Sequence, residues 1–573
     1  MKKLIFVIIP FLFLTSCEAP HTNRGFETVF ETSHGKETPT YHDLITYYEN
    51  LADAFSEIKI ETIGETDSGE PLHLVWYNSK GIFNNNSNAR LLINNGIHPG
   101  ESDGIDATML LFRDLALGKI TAPKNTTITT IPVYNVGGCL NRNSATRTNQ
   151  NGPKEYGFRG NARNFDLNRD FIKSDTKNAK TFAEIFHKVN PDVFIDNHVS
   201  NGADYQYAIS HLFTQHNKLG GVLGNYLHQQ LMPNLENDLK TKNIPITPYV
   251  NVWGTTPESG WSQFMDYPRY STGYTTLFNT LGMMVETHML KPYKQRVEQT
   301  YELMQSMLTL VDNDYKNIKN LRQQQFDSYK TTDDYVLDWK VDSTKTTTLN
   351  FKGYEANYTD SKVTSGKRLF YNKQKPYTKE VTYYNYVKPK NSIAIPKGYV
   401  IPKNWHRVIN LLKINNIEMT ELKQDSTLTV ESYKIDDYKT VSSPFEGHYM
   451  HYNTEVKATI KNISFKKGDY LINTKQPNIR YLLTTLEPQA PDSFFNWNYF
   501  DTILQQKEHF SAYVFEDNAE ILLNNTPELK AQFETKKLDS VFANNSYLQL
   551  DWIHKNSPHY EISHLQYPIY RMF

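Results

Sequence analysis

Between about Tyr41 and Arg322, short runs of apolar and β-branched residues alternate with amphipathic stretches, and each run stops at polar residues. Leu91-Leu92-Ile93 runs into Asn95-Gly96-Ile97-His98; Thr126 to Tyr134 is a second run, Asp192 to Asp196 a third and Leu281 to Thr287 a fourth. Asp103 to Leu117, stopped by Gly118, and about Asn178 to Val189 read as helices between them. Continuous apolar runs of this length suit strands buried on both faces, which requires helices on both sides of a sheet. The expected fold class is therefore α/β, with a mixed, largely parallel sheet flanked by helices. From Pro292 to about Gln323, Val297, Tyr301, Met304, Leu308 and Val311 recur at spacings of three and four, the stripe of a long helix lying on that core.

A chain of 573 residues exceeds what one hydrophobic core organises, so two or three domains are expected. The α/β domain is expected over 41–322. Residues 323–345, rich in Asp, Lys and Thr, read as a linker, and 346–573 shifts toward Tyr, Thr, Lys and Asn. Period-two alternation at 349–351 and 427–430 predicts a β-rich C-terminal region, with one helix marked by Trp405, Val408, Ile409 and Leu412. The 62 acidic and 61 basic side chains nearly cancel, which leaves no basic field for nucleic acid. At the N-terminus, Lys2 and Lys3 precede an apolar run too short to span a bilayer, so 1–16 reads as a signal peptide. Leu14-Thr15-Ser16-Cys17 resembles a bacterial lipobox. That resemblance implies a lipoprotein, lipidated at Cys17 and anchored to a membrane of the cell envelope facing the periplasm or cell surface, with 17–40 as a polar tether. Cys139 is then the only free thiol, and no disulfide framework is possible.

The chemistry-bearing residues sit at the predicted strand ends, where loops are free of ladder constraints. His98-Pro99-Gly100-Glu101 places an imidazole and a carboxylate three apart after one strand, and His198 closes another. Two imidazoles and one carboxylate form a catalytic zinc set with an open position, whereas a structural site wants four ligands. Either histidine alone reads equally well as a loop residue that never meets the other. A second His-x-x-Glu, His34 to Glu37, falls in the expected tether and is assigned no role.

In order, the chain carries His98-x-x-Glu101, Asp166-x-Asn168-Arg169, His198 and Glu286. This resembles the ordered signature of the M14 family of zinc carboxypeptidases over roughly residues 41 to 322. The resemblance implies one zinc ion on His98, Glu101 and His198, with Glu286 as general base. It implies that Asn168 and Arg169 clamp the free C-terminal carboxylate of a peptide substrate, a task suited to a planar guanidinium fork. Asp166 is expected to accept a hydrogen bond from a liganding imidazole. For the arginine that stabilises the oxyanion, Arg142, Arg147 and Arg163 are candidates, with Arg147 preferred on spacing; for the substrate-contacting tyrosine, Tyr270 is preferred over Tyr267 and Tyr274. His288 is expected to pack rather than to ligate. Only 30 residues separate Asn168 from His198, so pocket shape cannot be copied from the animal digestive branch, and the preference for the substrate's last residue stays open. Two other functions fit the sequence: a zinc amidohydrolase acting on peptidoglycan stem peptides or N-acyl amino acids, and a non-catalytic surface binding protein. In the second region His448 and His451 have ligand-like spacing but would face opposite sides of a strand, and the aromatics of 488–499 suit packing between regions.

Overall fold

A computed structural model describes residues 25–330 and 333–573. The expected leader and Cys17 lie outside the described residues. Strands β1 (Ile58–Ile63), β2 (Leu72–Tyr77), β3 (Ala89–Asn94), β4 (Thr126–Ile131), β5 (Val193–Ser200), β6 (Ile209–Phe213), β7 (Thr247–Pro248) and β9 (Leu281–His288) form one eight-stranded sheet, while β8 (Trp261–Ser262) lies outside it. The order is β1-β2-β4-β3-β5-β9-β6-β7. The central four, β4-β3-β5-β9, are parallel, and β2 and β6 add to them antiparallel on either side, so the sheet is mixed as expected. β3, β4 and β5 are buried almost throughout, which is why their sequences run apolar or threonine-rich without alternation.

The two faces of the sheet are covered differently. Helices Asp103–Ala116 and Tyr293–Asp327 pack on one, with Met304 and Val311 fully buried as the stripe predicts and Met307 buried beside them. Gly104 is necessary there: a Cβ at this position would lie 2.3 Å from Cβ of Asn197, so only glycine lets the helix start flush against β5. On the opposite face Phe182, Phe186, Tyr274 and Phe278 form an aromatic cluster that covers Phe194. Strand side chains alternate, so Asp196 and His198 follow Phe194 on this face, toward the end where a cleft opens.

Two boundaries differ from expectation. Residues 25–40, read as tether, are part of the fold: Phe30 is buried edge-on to Tyr293 at 5.9 Å, and Glu31 both caps the helix Val29–Thr32 and pairs with Arg113. The polar composition hid a capping box and one buried aromatic. The linker is also shorter than 323–345, because the long helix runs to Asp327 and Asp334–Val341 is already a strand paired with Val387–Ala394.

The C-terminal region is β-rich. Strands Thr347–Asp360 and Lys367–Tyr384 form a long hairpin, and a six-stranded sheet includes Gly398–Ile401, Ser426–Thr440, His451–Phe465 and Gln566–Met572. Helices Ala512–Asn525, Pro527–Lys536 and Ser546–Lys555 close a small core of their own around Phe515, Phe533, Phe542 and Leu550. This region is stitched to the first. Tyr383 and Tyr384 pair with β8, Asp492 binds the Arg269 guanidinium at 2.7 Å, and Asp175 receives Arg407 and His448, each at 2.7 Å. Phe494, Phe495 and Trp497 are buried, and Trp497 meets Lys173 and Arg269 from the first region.

Candidate active site

The parallel register brings the sequence candidates to one place. β3 ends at Asn94 and the chain turns through Gly96 to His98, while Asn94 pairs with Asp196 on β5. In the turn after β3 the Glu101 N–H donates to the His98 carbonyl at 2.8 Å, which folds Glu101 back toward β5. There its Oε2 accepts the Val199 N–H at 2.9 Å and lies 3.1 Å from Nδ1 of His198; its Oε1 lies 3.2 Å from Nδ1 of His98. Ligand atoms of His98, Glu101 and His198 all lie within 4.8 Å of one another, the only such group found among the described residues.

The opposite nitrogen of each imidazole is held by an acid. His98 Nε2 meets Asp166 Oδ1 at 2.9 Å, and His198 Nε2 meets Asp196 Oδ2 at 2.8 Å. A carboxylate on Nε2 favours the proton there and leaves Nδ1 as the free lone pair, the arrangement in which a histidine binds a metal. Burial alone would raise Glu101 and lower His198, but the charges win: His98, Arg147 and His198 hold Glu101 well below the usual carboxylate range, and Asp196 with Glu101 holds His198 well above the usual imidazole range. Asp166 is likewise held low against its burial, by His98, Arg159 and Arg169. Two nitrogen donors and one carboxylate, buried and oriented from behind, fit a zinc ion with a position left for water. Asp196 was not a sequence candidate, although its place two residues before His198 on one strand puts both on the same face.

β9 lies beside β5 with Glu286 directly opposite His198. The Glu286 side chain lines the cleft, and its carboxylate has no hydrogen-bond partner among the described residues. Burial pushes it up to about 8, with Glu101 and Asp196 adding to the rise and His198 and Arg159 opposing it. The cleft, of about 370 Å³, continues from these groups to Asn168, Arg169 and Tyr270. Asp166 caps the turn Leu167–Arg169 by accepting the Asn168 N–H at 2.9 Å. Asn168 Oδ1 accepts the Ser271 N–H at 3.2 Å, which leaves its amide NH₂ as a donor for the cleft. The Arg169 guanidinium stacks on the Tyr270 ring at 4.6 Å, and Phe264 packs edge-on against that ring at 5.0 Å.

The remaining candidates separate. Arg147 does not line the cleft; its Nη1 meets Glu101 Oε1 at 2.9 Å and its Nε binds Gln150, so it neutralises the carboxylate from outside. Arg142 is spent on the carbonyls of Thr38 and Pro39, and Arg163 stands by Asp67. The guanidinium beside the histidines in the cleft is Arg159, missing from the sequence candidates: it binds Asp166 at 2.8 and 3.1 Å, and its Nη1 lies 3.3 Å from His98 Nδ1 and 3.7 Å from Glu101. Seven residues separate it from Asp166, and spacing alone could not rank it above Arg147. Tyr267 turns to Asp338, and Tyr274 is buried with its hydroxyl on Asn415 at 2.5 Å. His288 binds Asp204 at 3.1 Å and stands apart from the triad. His448 is taken by Asp175, and His451 by Thr440 and Asp501. Tyr249, which lines the cleft, is pushed up by burial and by Glu286.

Known proteins resemble this chain at several levels. Carboxypeptidase 2 of Trichophyton equinum is 22% identical over 435 residues, covering 71% of this chain and 73% of the relative. Carboxypeptidase 2 of Trichophyton rubrum is 21% identical over 430 residues, covering 71% of this chain and 73% of the relative. Among solved structures, a metallo-carboxypeptidase from Burkholderia cenocepacia matches with TM-score 0.35 and 14% identity over 48% of this chain and 70% of that one. The Peptidase_M14 zinc carboxypeptidase family model matches residues 44–206, a span that holds His98, Glu101, Asp166, Asn168, Arg169 and His198. Residues 44–206 thus carry an M14 zinc carboxypeptidase domain, which, with the carboxypeptidase relatives, supports a metallocarboxypeptidase, a peptide hydrolase.

Proposed function

We propose that the protein removes the C-terminal residue of peptides with one zinc ion held by His98, Glu101 and His198 and with Glu286 as general base. The observation that carries this reading is the arrangement across one cleft: the buried His98–Glu101–His198 group and Glu286 at one end, Asn168 and Arg169 at the other. A zinc ion bound there supplies Lewis acidity that activates water and polarises a carbonyl. Arg169 and the Asn168 amide bind the free α-carboxylate, which selects the last peptide bond. Glu286, directly across from His198, takes the proton of the attacking water and passes it to the leaving amine. Arg159, rather than Arg147, lies where negative charge develops on the scissile carbonyl oxygen, and its ion pair with Asp166 fixes its position. Asp166 and Asp196 hold the two imidazoles with Nδ1 turned inward.

The experiment is mass spectrometry of paired peptides, free acid and C-terminal amide, incubated with the zinc-loaded full-length chain. Release of single residues from the free acids, reduced at least about 100-fold for the amides, is expected from a carboxylate clamp. Cleavage of both forms at equal rates, or at internal bonds, contradicts the reading.

A further inference from the structure

The floor of the cleft has a chemistry of its own. Met284 stands two residues before Glu286 on β9, hence on the same face, and β6 puts Leu212 directly opposite Met284 just as it puts Ser210 opposite Glu286. Both apolar side chains line the cleft, at 5% and 2% exposure. Phe264, Tyr270 and Tyr249 line the same cleft. Every charged side chain of the lining except Glu286, the proposed base, is already engaged. Glu101 is shared by His98, His198 and Arg147; Arg159 is bound to Asp166; Arg169 lies on Tyr270; Glu286 faces His198. The one acid in register with the floor, Asp196, is fully buried with its oxygens on His198, Ser271 and Asn94.

We propose that Met284 and Leu212 are specificity-determining residues that receive the side chain of the substrate's last residue and select a neutral, apolar one, of the Leu, Met or Phe kind, over Lys, Arg, Asp or Glu. The inference rests on the carboxypeptidase reading above. When the α-carboxylate sits on Asn168 and Arg169 and the scissile bond lies at the histidines, two of the three heavy substituents of the last α-carbon are fixed. The third, the side chain, has the floor left to enter. An ammonium or carboxylate driven against Met284 and Leu212 finds no counter-charge to spare, since Glu286 is committed to the attacking water, and loses its hydration without return. An apolar side chain gains by the same burial.

The test is a series of N-acylated dipeptides, identical except for a last residue of Phe, Leu, Ala, Lys or Glu, presented to the zinc-loaded full-length chain with release of the free amino acid followed. Phe and Leu should exceed Lys and Glu by at least about 100-fold in kcat/KM. The same order should appear in calorimetric Kd values on the Glu286→Gln protein, which is expected to bind without turnover. Met284→Asp should raise Lys relative to Leu at least about tenfold, with Leu212→Asp as the second variant if the first does not retain zinc. Lys or Glu equal to or above Leu, or an unchanged ratio in a zinc-retaining variant, overturns the assignment while leaving the carboxypeptidase reading in place. No release from any member of the series, with binding to Glu286→Gln also absent, sinks that reading and the inference with it.

Discussion

The two regions of this molecule use polar side chains in opposite ways. In the first, acids and histidines from separate strands are turned toward one another inside a cleft, so that His98, Glu101 and His198 crowd within 4.8 Å while Glu286 is left unpaired beside them. In the second, polar side chains are spent on fixing backbone and closing ion pairs: Glu446 accepts the Asp166 N–H at 2.9 Å, Asp492 accepts the Arg269 N–H at 2.8 Å, and Arg480 donates to the carbonyls of Lys218 and Leu219 at 2.7 and 3.2 Å. The bonds of Glu446 and Asp492 land on segments that carry site residues, since Asp166 orients His98 and Arg269 precedes Tyr270. The long hairpin likewise holds the stretch that contains Trp253, with Tyr358 and Tyr371 donating to the carbonyls of Gly254 and Thr255. Reactive geometry comes from the sheet, and the loops that complete it are held in part from outside the sheet.

This contrast makes graded predictions. Glu286→Gln should cost the most, lowering kcat by about 10³- to 10⁴-fold with zinc content unchanged; activity within tenfold of the parent would remove Glu286 as the base. Next, Asp175→Asn should destabilise the folded chain by about 3 kcal/mol, because it leaves Lys173, Arg407 and His448 facing a neutral amide at the junction. Asp175 is held below its ordinary range, against its burial, by His448 and Lys173, so its contribution is present above its unfolded pKa near 4 and is lost as pH falls through the folded value. Chemical denaturation at pH 7 and at pH 3 should therefore show a gap between parent and variant that narrows in acid; a constant gap would contradict the ion-pair origin. Asp196→Asn should weaken zinc binding by about 10- to 100-fold, measured by competition with a chelating dye, since it no longer fixes the His198 tautomer. Unchanged affinity would make Asp196 a bystander. Glu446→Gln should have the smallest effect, a fall in kcat/KM of no more than about tenfold with zinc and folding intact. No change at all would mean that the second region does not reach the catalytic chemistry through Asp166.

Much of this was legible in the sequence because it follows from strand periodicity. Apolar runs ending in His98, His198 and Glu286 marked strand ends, and a parallel sheet sets such ends side by side, so their convergence required only the register. Asp196 obeys the same rule and could have been found from it. Arg159 could not, because three other arginines lie in the same stretch of irregular chain and only tertiary packing decides which one enters the cleft. Leu212 was hidden for a different reason: β6 joins the sheet antiparallel after β9, and a partner across a non-sequential strand pair is invisible to local pattern. Residues 25–40 misled by composition, since one buried aromatic and one capping box outweigh a polar average. The helices over 512–555 escaped the period-two reading that marks the rest of the second region as β-rich.

The catalytic reading requires three side chains from two strand ends, His98, Glu101 and His198, to share one divalent ion. Anomalous diffraction at the zinc edge, on crystals of the zinc-loaded full-length chain, tests it most directly. A single peak is expected about 2.0 to 2.2 Å from Nδ1 of His98, Nδ1 of His198 and an oxygen of Glu101, with Glu286 outside the ligand set. A peak bound elsewhere, or coordination through Glu286 in place of Glu101, would contradict it.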